Sequence, residues 1–258
     1  METEDAAIAR IIHRHVRYAI LSHTWLRESP GEVTYAHWMK RLFNEDDDGY
    51  HKLVNFCTTA SKHHHLTLGW MDTICINKDS SSELDESIRS MYKWYERADV
   101  CIVHLAGTQS LQDMHLDPWF TRGWTLQEML APEHMKFCNK NWKYFFSDAS
   151  SNDKYMTARD DVESFGPRQI MRQINKATTI TQDELQHIVS IPLSRRMQLA
   201  ASRKVTREED MAYSLMGVFG VSITTAYGEG SDRAFLRLLE AVLNTTSLGV
   251  LDLLNWAG

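Results

Sequence analysis

The chain has 258 residues, of which 43% are hydrophobic and 24% charged, values of a packed globular protein and not of a disordered tail or low-complexity scaffold. That length suits one large domain, or one with an appended subdomain. A formal charge of -6 and a pI near 6.0 exclude nucleic acid as the main ligand, which requires a concentrated Lys/Arg surface, and leave room only for a local basic patch.

Met1 to Arg14 places Glu2, Glu4 and Asp5 ahead of Ile11 and Ile12, so it lacks the basic start and apolar core of a secretory signal. No segment approaches the ~18 continuous apolar residues of a membrane span. The expectation is a chain in water with no membrane span, cytoplasmic by default. Cys57, Cys75, Cys101 and Cys138 form no C-x-x-C pair, and three of them sit in apolar runs. They are expected to be buried free thiols of a reducing compartment, with neither disulfide nor metal.

Tyr18-Ala-Ile-Leu-Ser22 is short, apolar and β-prone, which predicts a strand ending at Ser22-His23-Thr24-Trp25. A mixed helical pattern follows over Val33–Phe43, then an acidic break at Asn44–Gly49. Leu53, Val54, Phe56, Cys57 and Ala60 predict a helix over Tyr50–Lys62. Leu66–Met71 reads as a second strand stopping at Asp72. Ile88, Met91, Tyr92, Tyr95 and Ala98 mark the buried face of the next helix, and Val100–Leu105 reads as a third strand. Asp117-Pro118 is expected to open a helix running through Leu130, with His134–Cys138 as a fourth strand. Strands alternating with helices mean βαβ units and a mostly parallel sheet flanked by helices, an α/β fold.

The pattern changes near Phe146, because Ser147–Asp161 is rich in Ser, Asp and Asn and has no sustained period. Beyond it, helices are expected over about Arg168–Ala177, Pro192–Ser202, Arg207–Phe219 and Asp232–Leu243. Thr206 with Glu209 has the form of a capping box, Gly220 can close its helix, and Tyr227–Gly230 reads as a tight turn. The organisation expected is an α/β part over residues 1–146 with a helical extension over 147–258 packing on it. The mostly apolar run Leu248–Leu254, close to the last residue, reads as continuing into further parts of a longer protein.

In open parallel sheets, ligands bind outside the carboxyl ends of the strands. That rule selects Ser22, His23 and Trp25 after strand one, Asp72 and Asn77 after strand two, and the loop from Gly107 to Trp119 after strand three. In Arg122-Gly-Trp-Thr-Leu-Gln-Glu128, the four-residue spacing puts Trp124 and Glu128 on one helix face, an aromatic plane beside a carboxylate. The pair suits a ligand with a flat ring and a sugar, or equally a core Trp beside an exposed Glu paired with Arg122. His63-His64-His65 reads as a solvated turn, since consecutive residues do not face one way. Asp46-Asp47-Asp48 lacks the alternating ligands of a calcium loop, and Arg207–Asp210 reads as a helix start with salt links. The chain contains no G-x-G-x-x-G, Walker A or G-x-S-x-G motif, which weakens dehydrogenase, NTPase and hydrolase readings.

Four segments together resemble the HET (heterokaryon incompatibility) domain of filamentous fungi. They are Tyr18-Ala-Ile-Leu-Ser-His-Thr-Trp25, Gly69-Trp-Met-Asp-Thr-Ile-Cys-Ile-Asn77, Ile88-x-x-Met91 with Tyr95-x-x-Ala98, and Trp119-Phe-Thr-Arg-Gly-Trp-Thr-Leu-Gln-Glu128. Arg207–Tyr213 and Tyr227–Gly230 look like a segment that commonly follows. Lys78 stands where the family usually has Gln, and Leu26 where Gly is common. The resemblance implies a role in nonself recognition leading to growth arrest or cell death, and a distant TIR-like fold. Several TIR domains cleave NAD with a Glu on the helix after the third strand, in a W-x-x-x-E arrangement similar to Trp124–Glu128.

By that resemblance Glu128 would be catalytic and NAD the candidate substrate, with no added cofactor or metal required. Nicotinamide leaves a cationic linkage as a neutral molecule, so one carboxylate suffices where ordinary glycoside hydrolysis uses two. Trp124 or Trp25 would stack on a ring, and Ser22, Arg122 and backbone amides are candidate phosphate donors, with His23 and Asp72 lining the same edge. Self-association on activation is expected by the same resemblance. Two other readings stay open: signalling by assembly without turnover, and nucleotide binding without cleavage.

Overall fold

The computed structural model describes residues 16–245 apart from 27, 29, 148–152 and 155–164. The readings of Met1–Arg14 and Leu248–Leu254, and most of Ser147–Asp161, lie outside the described residues. Strands β1 (Tyr18–His23), β2 (Leu68–Trp70), β3 (Val100–His104) and β4 (Met135–Cys138) form one four-stranded sheet in the order β2-β1-β3-β4. All three pairings are parallel, as expected for the α/β architecture. Parallel neighbours need crossovers, which here are helical. Helices α1 (Tyr35–Lys40) and α2 (Asp48–His64) join β1 to β2, and α3 (Asp72–Cys75) and α4 (Ser81–Glu96) join β2 to β3. Two 3-10 turns (Leu111–Leu116 and Pro118–Thr121) and helix α5 (Thr125–Leu130) lead to β4.

Both sheet faces are covered, which is why β1 and β3 read as unbroken apolar runs. Ala19, Leu21, Val100 and Ile102 pack with Leu53, Phe56 and Ala60 of α2 in one core. Their sequence neighbours Ile20, Cys101 and Val103 pack on the other face with Ile88, Met91, Tyr95, Leu126 and Met129 of α4 and α5. Ile170, Ile174, Tyr213 and Leu238 from the C-terminal helices join this second core. Those helices are α6 (Phe165–Thr178), α7 (Gln182–Gln186), α8 (Leu193–Ala201), α9 (Asp210–Tyr213), α10 (Met216–Phe219) and α11 (Ser231–Thr245).

Several local expectations are corrected. The helix expected from Asp117 to Leu130 is interrupted, because Arg122 is extended and bridges Lys204 in parallel. Gly123 N–H donates to the Lys204 carbonyl (2.8 Å) and Lys204 N–H to that of Thr121 (2.7 Å). A tertiary strand-like pairing thus overrides helix propensity. The helix expected over Arg207–Phe219 is two single turns, and the Thr206 capping box is not formed, since Glu209 instead accepts the amides of Gly228 (2.7 Å) and Gly230 (3.3 Å). Gly220, at φ 69, does close α10 as expected. The cysteines are free thiols, but only Cys101 and Cys138 are buried, while Cys57 and Cys75 are exposed.

Gly217 of α10 sits against α4 so closely that a Cβ there would lie 2.2 Å from the Tyr92 Cβ. Gly217→Ala is therefore expected to destabilise the fold by about 1–3 kcal/mol through overpacking, read as a lower urea midpoint at unchanged slope.

Candidate functional site

Successive strand residues point to opposite faces, so Ser22 and His23 at the end of β1 part company. Ser22 follows Ile20 toward α4 and α5, and His23 follows Leu21 toward α2. The residues selected at this edge therefore form two polar clusters back to back, both at the carboxyl end of β1 beside its parallel partner β3.

The first cluster centres on Ser22, which is fully buried. The Trp119 indole Nε1–H donates to its Oγ (2.7 Å), and the Oγ–H donates to Glu128 Oε2 (2.5 Å). The hydroxyl thus accepts from the indole and donates its proton to the carboxylate. Tyr95 donates to the Leu21 carbonyl (2.9 Å). Glu128 is 8% exposed. Burial is the main cause that pushes its carboxyl up to about 7, with help from the Asp72 charge, against the opposing bonds from Ser22 and Tyr95 and the charge of Arg122.

Every residue of α5 is buried, and buried cations from later in the chain hold both ends of this helix. Arg203 Nη1 donates to the Arg122 carbonyl (2.9 Å) and to Thr125 Oγ1 (3.0 Å) at its start. Lys154 Nζ donates to the Met129 carbonyl (2.7 Å) near its end, and burial lowers that ammonium to about 7.

The second cluster centres on His23. Its Nδ1 lies 3.2 Å from Lys52 Nζ and its Nε2 lies 3.1 Å from Asp72 Oδ1. An ammonium only donates, so the network assigns Nδ1 as acceptor and Nε2–H as donor to Asp72. Lys52 also pairs with Glu32 and donates to the Thr24 carbonyl (3.0 Å). Burial lowers the Lys52 ammonium, although Glu32 opposes that. Burial acts to raise the Asp72 carboxyl, yet the His23 hydrogen bond and the charge of Lys78 together hold it well below the usual carboxylate range. Lys78 donates to Asp72 Oδ2 (3.2 Å) and sits 3.6 Å from the ring centroid of Trp25, with Arg122 Cζ at 5.9 Å from the same ring. Trp25 is 43% exposed, so this edge opens to solvent through an indole flanked by two cations.

The Trp124–Glu128 pair keeps its helical register, the Glu128 amide donating to the Trp124 carbonyl (3.4 Å). Their side chains nonetheless engage different parts of the fold. The Trp124 indole donates to Asp210 Oδ2 (3.1 Å), whose other oxygen accepts from the Tyr227 hydroxyl (2.8 Å), and the Arg207 guanidinium lies over the Tyr227 ring (4.2 Å). The Arg207–Asp210 run thus ties the helical part to Trp124, beyond a salt-linked helix start. The Asn77 amide is taken by Glu83 (3.0 Å) and that of Gly107 by Asp117 (2.9 Å), so these two close loops. His63 and His64 are the last residues of α2, not a turn, and His64 Nε2 lies 2.7 Å from the Tyr144 hydroxyl. Among the described residues no group of three or more His, Cys, Asp or Glu could hold a metal ion.

Sequence reasoning missed Lys52, Glu32 and Arg203 as members of the site. For Lys52 a signal existed: it shares a helical stripe with Phe56, Thr59 and Ala60, all buried, and a Lys on a buried stripe requires a partner. Glu32 and Arg203 carry no such local mark, because their partners lie in other elements.

Ser22→Ala removes the acceptor of the Trp119 indole and a donor to Glu128. We expect a loss of ~1–3 kcal/mol by urea denaturation, and a Glu128 titration by carbon-13 NMR that moves above about 7. Lys52→Met removes the buried cation paired with Glu32, with an expected loss of ~3–5 kcal/mol by urea denaturation at pH 7.

Comparison with known proteins converges on these segments. The family described as Heterokaryon incompatibility protein (HET) matches residues 18–117, from the first residue of β1 to the loop before Trp119. The chain is 35% identical over 238 residues to vegetative incompatibility protein HET-E-1 of Podospora anserina, a match covering 87% of this chain. It spans only 16% of that longer relative. No solved structure matches the chain. With β1, its polar carboxyl end and the α4 face all inside the matched segment, and the likeness to the relative covering most of the chain, the chain is a HET-domain protein.

Proposed function

We propose that this chain acts in heterokaryon incompatibility as a cell-death effector domain of the cytoplasm, and that its site hydrolyses NAD to nicotinamide and ADP-ribose, with Glu128 as the catalytic carboxylate. The observation that carries this reading is the buried Glu128 held by Ser22 at the carboxyl end of β1. That edge is where open parallel sheets take their ligands. The TIR-like W-x-x-x-E arrangement of Trp124 and Glu128 supports the same assignment.

Nicotinamide in NAD is a pyridinium bound to ribose. Its C–N bond breaks with the electron pair going to nitrogen, so it departs neutral and no general acid is needed. The ribose is left as an oxocarbenium-like cation. Glu128, as carboxylate, stabilises that charge in a site with little water to screen it. Water adds to the anomeric carbon and its proton passes to Glu128 or to solvent, giving ADP-ribose. Ser22 fixes the rotamer of Glu128, Trp25 offers a face to a ring, and Arg122 with Lys78 stands where pyrophosphate oxygens need donors. His23 and Asp72 brace that wall, Asp72 accepting from both His23 and Lys78.

The test is incubation of concentrated protein with NAD while nicotinamide release is followed. Glu128→Gln, which keeps an acceptor for Ser22, is expected to lower kcat at least ~100-fold with the fold intact. Retained activity in that variant, or none in the wild type as monomer and as assembled protein, would sink the proposal. Activity needs the carboxylate, so the rate should rise with pH through about 7 and then level off. Stability should run the opposite way. A carboxyl raised above its unfolded value favours the folded state below pH ~4.5, and that contribution, on the order of 3 kcal/mol, is lost as pH climbs through about 7. Glu128→Gln should flatten the pH dependence of the melting temperature between pH 4.5 and 8.

A further inference from the structure

Helix α5 does not hold its own start. Its N-cap residue, Trp124, supplies no capping side chain. Three carbonyls of the turn leading into it each accept from a group other than an α5 amide. Trp119 accepts from Thr125 Oγ1 (2.6 Å), Thr121 from the Lys204 amide (2.7 Å), and Arg122 from Arg203 Nη1 (2.9 Å). Gly123, next in the chain, donates back to Lys204 (2.8 Å) and leaves no space for a side chain, since a Cβ there would lie 2.4 Å from Val205 Cγ1. The segment Arg203–Val205 of the helical half is therefore a clasp on the turn from which the Glu128 helix departs.

Arg203 is the charged member of this clasp and is 4% exposed. Its hydrogen bonds run to oxygens of Leu199, Arg122 and Thr125, and its buried Nη2 has no hydrogen-bond partner among the described residues. A buried guanidinium bound only to neutral oxygens is costly unless a negative charge lies near. The Glu128 carboxylate supplies that charge through space. A leucine-sized apolar residue at this position would fill the volume at lower cost, so the cation serves the helix it touches more than the core it occupies.

We propose that Arg203 is a positioning residue for Glu128, setting from the helical half of the chain the turn at which the Glu128 helix begins. This rests on Glu128 being the working carboxylate. It makes the helical half a part of the site: a shift of the clasp moves α5, and with it the carboxylate relative to Ser22.

The test compares Arg203→Gln and Arg203→Lys with the wild type in the full chain, using two readouts that need no substrate. One is the titration of Glu128 by carbon-13 NMR, its resonance identified by its loss in Glu128→Gln. The other is amide exchange at Gly123 and Leu126. Arg203→Gln is expected to raise the titration midpoint by roughly half a unit or more, and to speed exchange at both amides about tenfold. Arg203→Lys keeps the charge and loses the fork, so the midpoint should stay within ~0.3 units while exchange still rises at least about threefold. An unmoved midpoint in a folded Arg203→Gln, or unchanged exchange in Arg203→Lys, overturns the proposal. If Arg203→Gln does not fold, the exchange in Arg203→Lys decides. In the nicotinamide assay, Arg203→Lys should lower kcat about tenfold with KM within about twofold, as expected for lost positioning. A wild type that releases no nicotinamide would defeat the hydrolytic reading and leave the titration and exchange results to judge Arg203.

Discussion

A single hydroxyl organises this molecule. Ser22 Oγ receives the Trp119 indole proton and gives its own to Glu128, which fixes three elements at one point: the end of β1, the turn before α5, and α5 itself. The arrangement is directional because an indole N–H can only donate. The serine accepts on one side and donates on the other, so Glu128 faces a buried donor at the end of β1. Burial raises the carboxyl toward neutrality, and the serine bond limits how far. The result is a carboxyl near the midpoint of its titration under physiological conditions, the state in which a group can stabilise charge or accept a proton.

The alternation of the strand then separates two tasks that adjacent residues share in the sequence. Ser22 serves the carboxylate on one face, and His23 serves the Lys52, Glu32 and Asp72 network on the other. The network on the α2 side ends at the solvent-facing Trp25, beside two cations. In the proposed reading the buried carboxylate meets the sugar, while the open indole and its cations meet a ring and phosphates. Activity and stability would pull on Glu128 in opposite directions, as is usual where a charge is kept in a site that disfavours it.

The sheet was legible in the residues because βαβ units bury both faces of a parallel strand, so β1 and β3 show as continuous apolar runs and α4 as a clean 3.6-residue stripe. The choice of Ser22, His23, Trp25 and Asp72 followed from a rule about strand ends and needed no contact information. Two of the misread features share one cause. The break at Arg122–Gly123 comes from pairing with Lys204, and the release of Glu209 from a capping box from the Gly228–Gly230 turn, partners far away in the chain. Local pattern carries no record of such partners.

What the sequence by itself determined is the alternation of elements, the edge at which polar residues gather, and the family to which the chain belongs, since periodicity and motif are properties of neighbours along the chain. Only the tertiary structure decided that Ser22 and His23 look away from each other, that Trp124 is tied to Asp210 while Glu128 is tied to Ser22, and that buried Lys154 and Arg203 hold the two ends of the Glu128 helix. Those are choices among partners that sequence distance does not rank. They are settled by which donors and acceptors packing leaves without water, because a buried polar group must be satisfied by whatever the fold brings beside it.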